Sequence, residues 1–354
     1  MKIKLAILER DESYLNRIVM VFNSRYAEKI EVYSFTSLET AFSSLETAKI
    51  DVFVANDAFE IDTKKLPKRC GFAYFVESAE IETLRGERVI CKFQKAELIY
   101  KQILGIFSEN VTEITGLRLN ESGESRTVAF LSPAGGVGSS TAAAAYAVRM
   151  ANQGRKVLYL NLEHFGNSDL FFHAEGQDDF GDVIYSLKSK KGNIAMKLES
   201  AVKQDQSGVY FYSATQLALD MAELTGEEIK QLLSGVRMFG GYDVIVLDMD
   251  FSMEKLALDI LRDCTRVVLV TDGSEIANNK LERAAASLAI LEQQTEMKLF
   301  LRSCILYNRF SSQTSRKIEF PEIKEIGGMK RYEGYGTEQL LQQLAQLQVF
   351  DTIA

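Results

Sequence analysis

The sequence predicts an α/β protein made of two doubly wound parallel-sheet domains. Short apolar runs rich in Val, Ile, Leu and Phe alternate with amphipathic helical patterns along the whole chain. These runs are continuously apolar, as expected of strands that helices cover on both faces of a parallel sheet. The length of 354 residues also corresponds to about two domains of roughly 150 residues each.

The first domain is predicted at residues 1–108. Its expected strands cover 4–8, 31–34, 52–55, 72–76 and 89–91, and its amphipathic helices include 12–28, 37–48 and 95–107. The alternation predicts five strands and about five helices. A polar segment rich in turn-forming residues follows at 109–126 and is predicted to be a linker.

The second domain is predicted at residues 127–354. Strands are expected at 128–131, 157–160, 209–212, 244–247, 267–270 and 304–307, and helices at 139–153, 178–188, 226–237, 253–262, 275–295 and 337–348. The last helical segment has an apolar face but no Lys or Arg, so attraction to anionic lipid is not expected. It is therefore predicted to pack on the domain, with a protein interface as the alternative.

Composition excludes several classes of protein. The hydrophobic content of 46% and charged content of 25% are typical of globular chains. The net charge of −8 argues against a nucleic-acid partner. No apolar stretch is long enough to insert into a membrane, and no secretory signal is apparent. The four cysteines form no C-x-x-C motif, so a zinc site is not expected and the reduced thiols suit the cytoplasm.

A glycine-rich loop, residues 132–141, joins a predicted strand to an alanine-rich helix. Glycines let the backbone approach phosphate oxygens, and amides at a helix start bind anions. A hydroxyl of the loop can also bind Mg²⁺. This placement favours a phosphate-binding loop over a plain turn. The predicted binding residues are Ala134, Gly135, Gly136, Val137, Gly138, Ser139, Ser140 and Thr141.

Residues 134–141 read AGGVGSST and resemble the deviant Walker A box, KGGVGK[ST]T, of the MinD/ParA superfamily of P-loop ATPases. The resemblance implies ATP and Mg²⁺ as cofactors. Ala134 replaces the signature lysine, which in that family reaches a partner's nucleotide across a dimer. Ser139 replaces the lysine at the β- and γ-phosphates. Since charge stabilisation supplies much of the rate of phosphoryl transfer, we expect ATP binding with weak or absent hydrolysis.

The same resemblance assigns roles to further residues. Asp248 ends an apolar strand as the Walker B carboxylate does, which implies a water-mediated contact with Mg²⁺, and Ser140 is implied as a direct ligand. Asn161 and Glu163 stand at the two acidic positions of the switch I region. Asn161 is expected in the Mg²⁺ shell, and Glu163 is the candidate catalytic residue that positions water. The strand ending in Asn308 and Arg309 resembles the family's nucleotide-binding Asn-Arg segment, where the Asn amide reads adenine.

The first domain resembles the response-regulator receiver domain. Glu9 follows the first strand at the receiver acid pair, but Arg10 replaces a carboxylate. Asn56 stands at the phosphoacceptor position, and Lys92 resembles the lysine after the last strand. An amide cannot form an acyl phosphate, so the resemblance implies a flavodoxin-like, receiver-like docking domain that is not phosphorylated. A plain flavodoxin-like domain of unrelated role is the alternative.

A chain that combines these two resemblances is similar to the TadZ/CpaE family of pilus assembly proteins. That family implies a cytoplasmic protein at the cell pole, a homodimer, that helps to assemble a Tad (Flp) pilus secretion machine. ATP would then act mainly as a dimer or conformational ligand.

Three other functions remain to be compared. An actively cycling MinD/ParA-type partitioning or positioning ATPase would require turnover, against which the two lysine replacements count. A phosphorylation-controlled protein would need an acceptor at position 56, where asparagine cannot serve, unless Asp57 substitutes for it. A nitrogenase-iron-protein-like reductase would need paired cluster cysteines in matching loops, which Cys264 and Cys304 do not provide.

Overall fold

A computed structural model describes residues 2–110, 125–189, 193–295, 298–318, 320 and 322–353. The chain divides into two compact units. The first unit contains residues 2–110 together with the described part of the segment Tyr185–Ala201, and the second contains the other described residues. Within the predicted linker, residues 111–124 lie outside the described residues.

The elements up to residue 110 are β1 (Ile3–Leu8), α1 (Glu12–Arg25), β2 (Ile30–Phe35), α2 (Leu38–Thr47), β3 (Val52–Asn56), β4 (Gly71–Val76), β5 (Thr83–Leu84), β6 (Glu87–Cys91) and α3 (Ala96–Asn110). The elements from residue 125 onward are β7 (Arg126–Leu131), α4 (Ser139–Asn152), β8 (Val157–Asn161), α5 (Phe180–Ser189), α6 (Ile194–Ala201), β9 (Lys203–Gln204), β10 (Tyr210–Phe211), α7 (Leu219–Ala222), α8 (Gly226–Phe239), β11 (Val244–Asp248), α9 (Lys255–Arg262), β12 (Arg266–Thr271), α10 (Glu275–Thr295), β13 (Ser303–Phe310), β14 (Lys324–Lys330) and α11 (Thr337–Ala345).

The first sheet has the order β2-β1-β3-β4-β6-β5, and all pairs are parallel except β5 with β6. Its first five strands have the flavodoxin-like order and confirm the predicted strands. The expectation of about five helices is wrong, because residues 2–110 contain three described α-helices. A short 3₁₀ turn at Thr63–Lys65 and the small β5–β6 hairpin connect the strands where helices were expected.

The core of the first unit lies on both faces of this sheet. Val52 and Val54 of β3 belong to a cluster with α1 and α3, whereas Phe53 and Ala55 belong to a cluster with α2. Successive side chains of a strand point to opposite faces, so each strand serves both clusters. The continuous apolar runs of the sequence follow from this double burial.

Helix α6 belongs to the first unit although it follows α4 and α5 in sequence. It packs against α3. Met196 is buried in the cluster of α1 and α3, and the Tyr100 hydroxyl donates to Glu199 at 3.0 Å. Just before α6, the Asn193 N–H donates to the Ser108 carbonyl at 3.0 Å. Nothing in the sequence pattern predicted that this segment would join the first unit.

The second sheet has the order β14-β13-β12-β7-β11-β8-β10-β9, and only the β9–β10 pair is antiparallel. The six predicted strands are confirmed with small changes of boundary, and β9 and β14 are additional. Central strand β7 lies between β11 and β12. The carboxyl ends of parallel strands meet at one edge of a sheet, where ligands bind in folds of this type.

Helix α4 packs on the central strands through its small side chains. Four consecutive alanines, 142–145, are fully buried. At the C-terminus, α11 packs on α4 with Leu341 and Leu344 in the same cluster, which confirms the predicted packing role. Arg149 of α4 also forms an ion pair with Asp351 at 2.6 Å. Among the described residues, no helix combines the length and apolar character required to cross a bilayer.

Candidate functional site

The glycine-rich loop begins where β7 ends and runs into the first turn of α4. Gly136 and Gly138 have φ of +78° and +85°, in the left-handed region that glycine tolerates best. A Cβ at Gly138 would lie 2.3 Å from the Asn308 Nδ2, whereas one at Gly136 would meet no atom within 4 Å. Gly138 is therefore required for close packing as well as for backbone conformation.

The loop borders an open cavity of about 270 Å³. The first amides of α4 have no acceptor within the helix, and the positive end of the helix dipole is at this terminus. Such a terminus favours a phosphate group. The residues lining the cavity are Ser132, Ala134, Gly135, Gly136, Val137, Gly138, Ser139, Ser140, Thr141, Glu163, Met249, Asp250, Phe251 and Arg309.

Asp248 ends β11 beside the loop and is completely buried. Its Oδ2 accepts hydrogen bonds from the Tyr159 hydroxyl at 2.6 Å and from the Asn161 amide at 3.3 Å. Its Oδ1 is buried without a hydrogen-bond partner among the described residues. Burial, reinforced by the charge of Glu163, raises the pKa of Asp248 to about 8. A cation at this position would favour the charged carboxylate and so oppose that shift.

Glu163 and Ser140 connect the loop to the end of β8. The Ser140 hydroxyl donates to Glu163 Oε2 at 3.1 Å, and the Glu163 N–H donates to Asn161 Oδ1 at 2.9 Å. Desolvation raises the pKa of Glu163, and the hydrogen bond from Ser140 opposes that rise. Asn161 and Glu163 also line a smaller cavity of about 20 Å³.

These groups fit Mg²⁺ held together with a phosphorylated ligand. Hydroxyl, amide and carboxylate oxygens are the donors that Mg²⁺ prefers, and it commonly takes only one or two carboxylates while phosphates supply other ligands. Among the described residues, no three His, Cys, Asp or Glu side chains are grouped to hold a metal by themselves. The unpartnered, buried oxygen of Asp248 is the observation that supports the fit.

Asn308 and Arg309 reach the loop from β13. The Asn308 amide is buried and donates to the carbonyls of Val137 at 2.8 Å and Gly138 at 3.4 Å. The Arg309 Nη1 donates to the Gly136 carbonyl at 3.1 Å. In this structure the donor expected to read adenine therefore holds the loop, and Asn308 is absent from the cavity lining.

The two loop positions at which lysine is replaced, Ala134 and Ser139, differ in their surroundings. The Ala134 side chain is buried in the apolar cluster beneath the loop, and its N–H donates to Ser132 Oγ at 3.1 Å. Ser139 lines the cavity, and its hydroxyl is buried without a hydrogen-bond partner among the described residues. The loop itself contributes no positive side chain.

Four cavity residues received no role from the sequence: Ser132, Met249, Asp250 and Phe251. Asp250 Oδ2 accepts from the His164 N–H at 2.9 Å and lies 2.8 Å from His164 Nδ1. The sequence feature that could have indicated Asp250 as a site residue is its position two residues after Asp248. That spacing alone does not reveal the direction of a side chain beyond a strand end.

The first unit has its own polar cluster at the receiver-like position, formed by Glu9, Asn56 and Lys92. Lys92 Nζ lies 2.8 Å from Glu9 Oε2, and both side chains are about 95% buried or more. The Asn56 amide donates to Glu9 Oε1 at 2.8 Å. The N–H groups of Arg10 and Asp11 donate to the same oxygen at 2.8 and 3.1 Å. In this Glu9 cluster, the chain itself thus supplies three hydrogen bonds to Glu9 Oε1 and an ion-pair contact to Oε2.

Two family models match the chain. Residues 1–108 match a model described as a TadZ-like receiver domain, and residues 125–301 match one described as an AAA domain. The second match covers half of the chain. The chain belongs to this AAA-domain family. It carries a TadZ-like receiver domain in front of the AAA domain.

Solved structures place the AAA domain in the ParA and MinD fold. A ParA family ATPase from Chlorobium tepidum TLS is 20% identical with a TM-score of 0.51, over 64% of this chain and 96% of that one. A chain of the MinC:MinD cell division protein complex from Aquifex aeolicus is similar at 17% identity and a TM-score of 0.50, over 65% of this chain and 94% of that one. At these identities the likeness shows the fold. No curated protein matches the chain.

Proposed function

We propose that the AAA domain binds ATP together with Mg²⁺ in the cavity beside the glycine-rich loop. The observation that carries this proposal is the buried, unpartnered Oδ1 of Asp248 beside the Ser140–Glu163 hydrogen bond. A buried carboxylate oxygen without a partner is costly, and a bound cation would compensate it. The helix start at Ser139 supplies the complementary anion site.

Each part of the site then has a role. The loop amides from Gly135 to Thr141 would surround the phosphates, and the Ser140 hydroxyl would bind Mg²⁺. Asp248 and Asn161 would hold the metal shell, since they already share a hydrogen bond at 3.3 Å. Glu163 would orient water near the terminal phosphate. Asn308 would keep the loop in place around the nucleotide through its bond to the Val137 carbonyl, and Arg309 borders the same cavity.

Hydrolysis is proposed to be weak, so that ATP serves mainly as a dimer or conformational ligand. Ala134 and Ser139 provide no charge for the transition state of phosphoryl transfer. A bound nucleotide can still favour one state of the protein in proportion to its preference for that state. In this proposal the favoured state is a homodimer.

At the cellular level, we propose a cytoplasmic scaffold at the cell pole for assembly of a Tad (Flp) type pilus or secretion machine. The TadZ-like receiver match at residues 1–108 supports this proposal. A fluorescent fusion should form a focus at a pole, and deletion of the gene should abolish the pili. A uniform cytoplasmic signal with normal pili would contradict the proposal.

The first experiment is calorimetry of the purified protein with ATP and Mg²⁺, with phosphate release followed in the same samples. Binding with negligible release supports the proposed function. Rapid release would instead support the actively cycling partitioning or positioning ATPase. Absence of binding by the wild-type chain would overturn both. Asp248→Asn should weaken the Mg²⁺-dependent binding of ATP, and Asp263→Asn on the exposed surface is its control.

A further inference from the structure

We propose that Arg309 supplies the positive charge for the nucleotide phosphates that the glycine-rich loop lacks. This inference rests on the proposed ATP site and assigns one of its residues a specific role. Arg309 reaches the cavity from β13, whereas the family lysines would lie within the loop. The charge would therefore come from a different element of the fold.

The side chains that line the cavity carry more negative than positive charge. Among the described residues that line it, Arg309 is the one basic side chain, whereas Glu163 and Asp250 are acidic. An ATP–Mg²⁺ complex is itself anionic, so these carboxylates would oppose its binding without a compensating cation.

The backbone of Arg309 also has an unusual conformation. Its φ is +55°, although it lies within a strand. The other described non-glycine residues with positive φ, Lys49 and Arg85, lie in turns. Strand pairing is irregular between Tyr307 and Phe310 at the same place. A strained left-handed residue persists when the surrounding structure fixes it, and such strain is concentrated at functional sites.

In this structure the Arg309 guanidinium has a weak partner for a charged group. Arg309 donates to the neutral carbonyl of Gly136 at 3.1 Å, at the exposed edge of the cavity. Asn308 already ties the loop through Val137 at 2.8 Å. A purely structural tie would therefore be partly redundant. A guanidinium forms stronger, often bidentate hydrogen bonds with phosphate oxygens than with a peptide carbonyl.

The test compares Arg309→Gly and Arg309→Gln with the wild-type chain. Glycine tolerates a φ of +55°, so Arg309→Gly should melt no lower than wild type while it lacks the guanidinium. We expect ATP·Mg²⁺ affinity measured by calorimetry to fall about tenfold or more in both variants. Inorganic triphosphate with Mg²⁺ should lose affinity in parallel, because it carries phosphates without a base.

Two further variants sharpen the result. Arg155→Gln removes an exposed arginine at the other end of α4 and should leave both affinities unchanged. Adding Ser139→Lys to Arg309→Gln should restore triphosphate and ATP binding, since it returns a cation to the cavity. The gain from Ser139→Lys should be larger in Arg309→Gln than in the wild-type chain, whose cavity already holds a cation, and an equal gain in both backgrounds would contradict the inference.

The outcomes separate this inference from the proposed function. If the wild-type chain binds ATP and Arg309→Gly binds it equally well, the inference is wrong and the ATP site stands. Loss of ATP affinity with unchanged triphosphate affinity would assign Arg309 to the base and would also overturn it. If the wild-type chain binds neither ligand, the proposed function itself fails.

Discussion

Asp248 shows how one buried side chain can connect the stability of the AAA domain to its ligand. Tyr159 and Asn161 satisfy one carboxylate oxygen, and the other has no described partner. Removal from water disfavours the charged form, and Glu163 disfavours it further. Without a cation, the folded domain therefore prefers a protonated Asp248 at pH values where the unfolded chain is ionised.

This preference predicts a pH dependence in the nucleotide-free, Mg²⁺-free protein. The pKa rises from 3.8 to about 8 on folding, so the native state binds more protons than the unfolded state within that window. The contribution of Asp248 to stability is therefore full below about pH 4 and is lost as the pH rises through about 8. Asp248→Asn resembles the protonated acid and should be more stable than wild type above pH 8, with the difference shrinking toward pH 4.

Urea unfolding between pH 5 and 9 in the presence of EDTA would measure this difference, with Asp263→Asn as the exposed control. Glu163 contributes in the same direction, because burial also raises its pKa. The free energy of unfolding should therefore depend less steeply on pH in Asp248→Asn than in the wild-type chain, but should still depend on it. A variant less stable than wild type at pH 9 would show that the folded domain already stabilises the carboxylate.

At the scale of secondary-structure elements, α6 is the feature that the sequence pattern concealed. Its apolar periodicity predicts burial but does not identify the surface that covers it. The structure places Met196 among residues of α1 and α3, and places Glu199 beside Lys29 as an ion pair. A segment between α5 and β9 therefore completes the core of a domain that ended about eighty residues earlier in the sequence.

Met196→Ala tests this packing. Removing the buried thioether should cost about 2–5 kcal/mol of stability. The loss should appear in the first unit, as faster hydrogen exchange of the α3 amides and the first sheet. Met150→Ala, in the buried cluster around α4, is the matched control and should instead affect the second sheet. Exchange confined to α6 after Met196→Ala would contradict the assignment of this helix to the core.

The strands that were predicted and those that were missed differ in length or in apolar content. Strands such as β1, β7 and β11 have five or six residues and are buried on both sides, so composition alone indicates them. Strands β5 and β9 have only two residues and depend on pairing with a neighbour. Strand β14 has two glycines and mostly exposed side chains, so it lacks an apolar pattern. Tertiary contacts decide these segments, and no local signal reports them.

At the scale of the whole molecule, the chain contains two compact units with separate sheets. A ligand of the AAA domain should therefore stabilise that domain by mass action. At a hundred times its dissociation constant, ATP with Mg²⁺ contributes about 2.7 kcal/mol. We expect calorimetry to show two thermal transitions, with the AAA transition raised by roughly 5–10 °C.

The receiver transition should move by less than one or two degrees under the same conditions. ATP in EDTA, without Mg²⁺, provides the control for the metal requirement. A single transition that ATP with Mg²⁺ raises as a whole would indicate that the two units unfold as one cooperative body. Exchange protection of α3 and α4 would then show which elements share the stabilisation.

The candidate site was predictable as far as its parts follow strands directly. The loop, Asp248 and Glu163 could be located because each comes immediately after an apolar strand, and the structure brings them to one edge of the sheet. The partners of Asn308 and the conformation of Arg309 were not predictable, because both depend on an irregular strand beside β14. Asp250 was missed since its direction depends on the loop after β11 rather than on spacing.

The Glu9 cluster has a consequence for how the first domain could receive information. In a phosphorylated switch, a transient anion is added and removed, and the lysine responds to its presence. Here Lys92 pairs with Glu9, which is part of the same chain and is held by Asn56 and two backbone amides. Lys92 can respond to another group only if it first leaves Glu9. The chain's own carboxylate therefore competes with any external anion at this position.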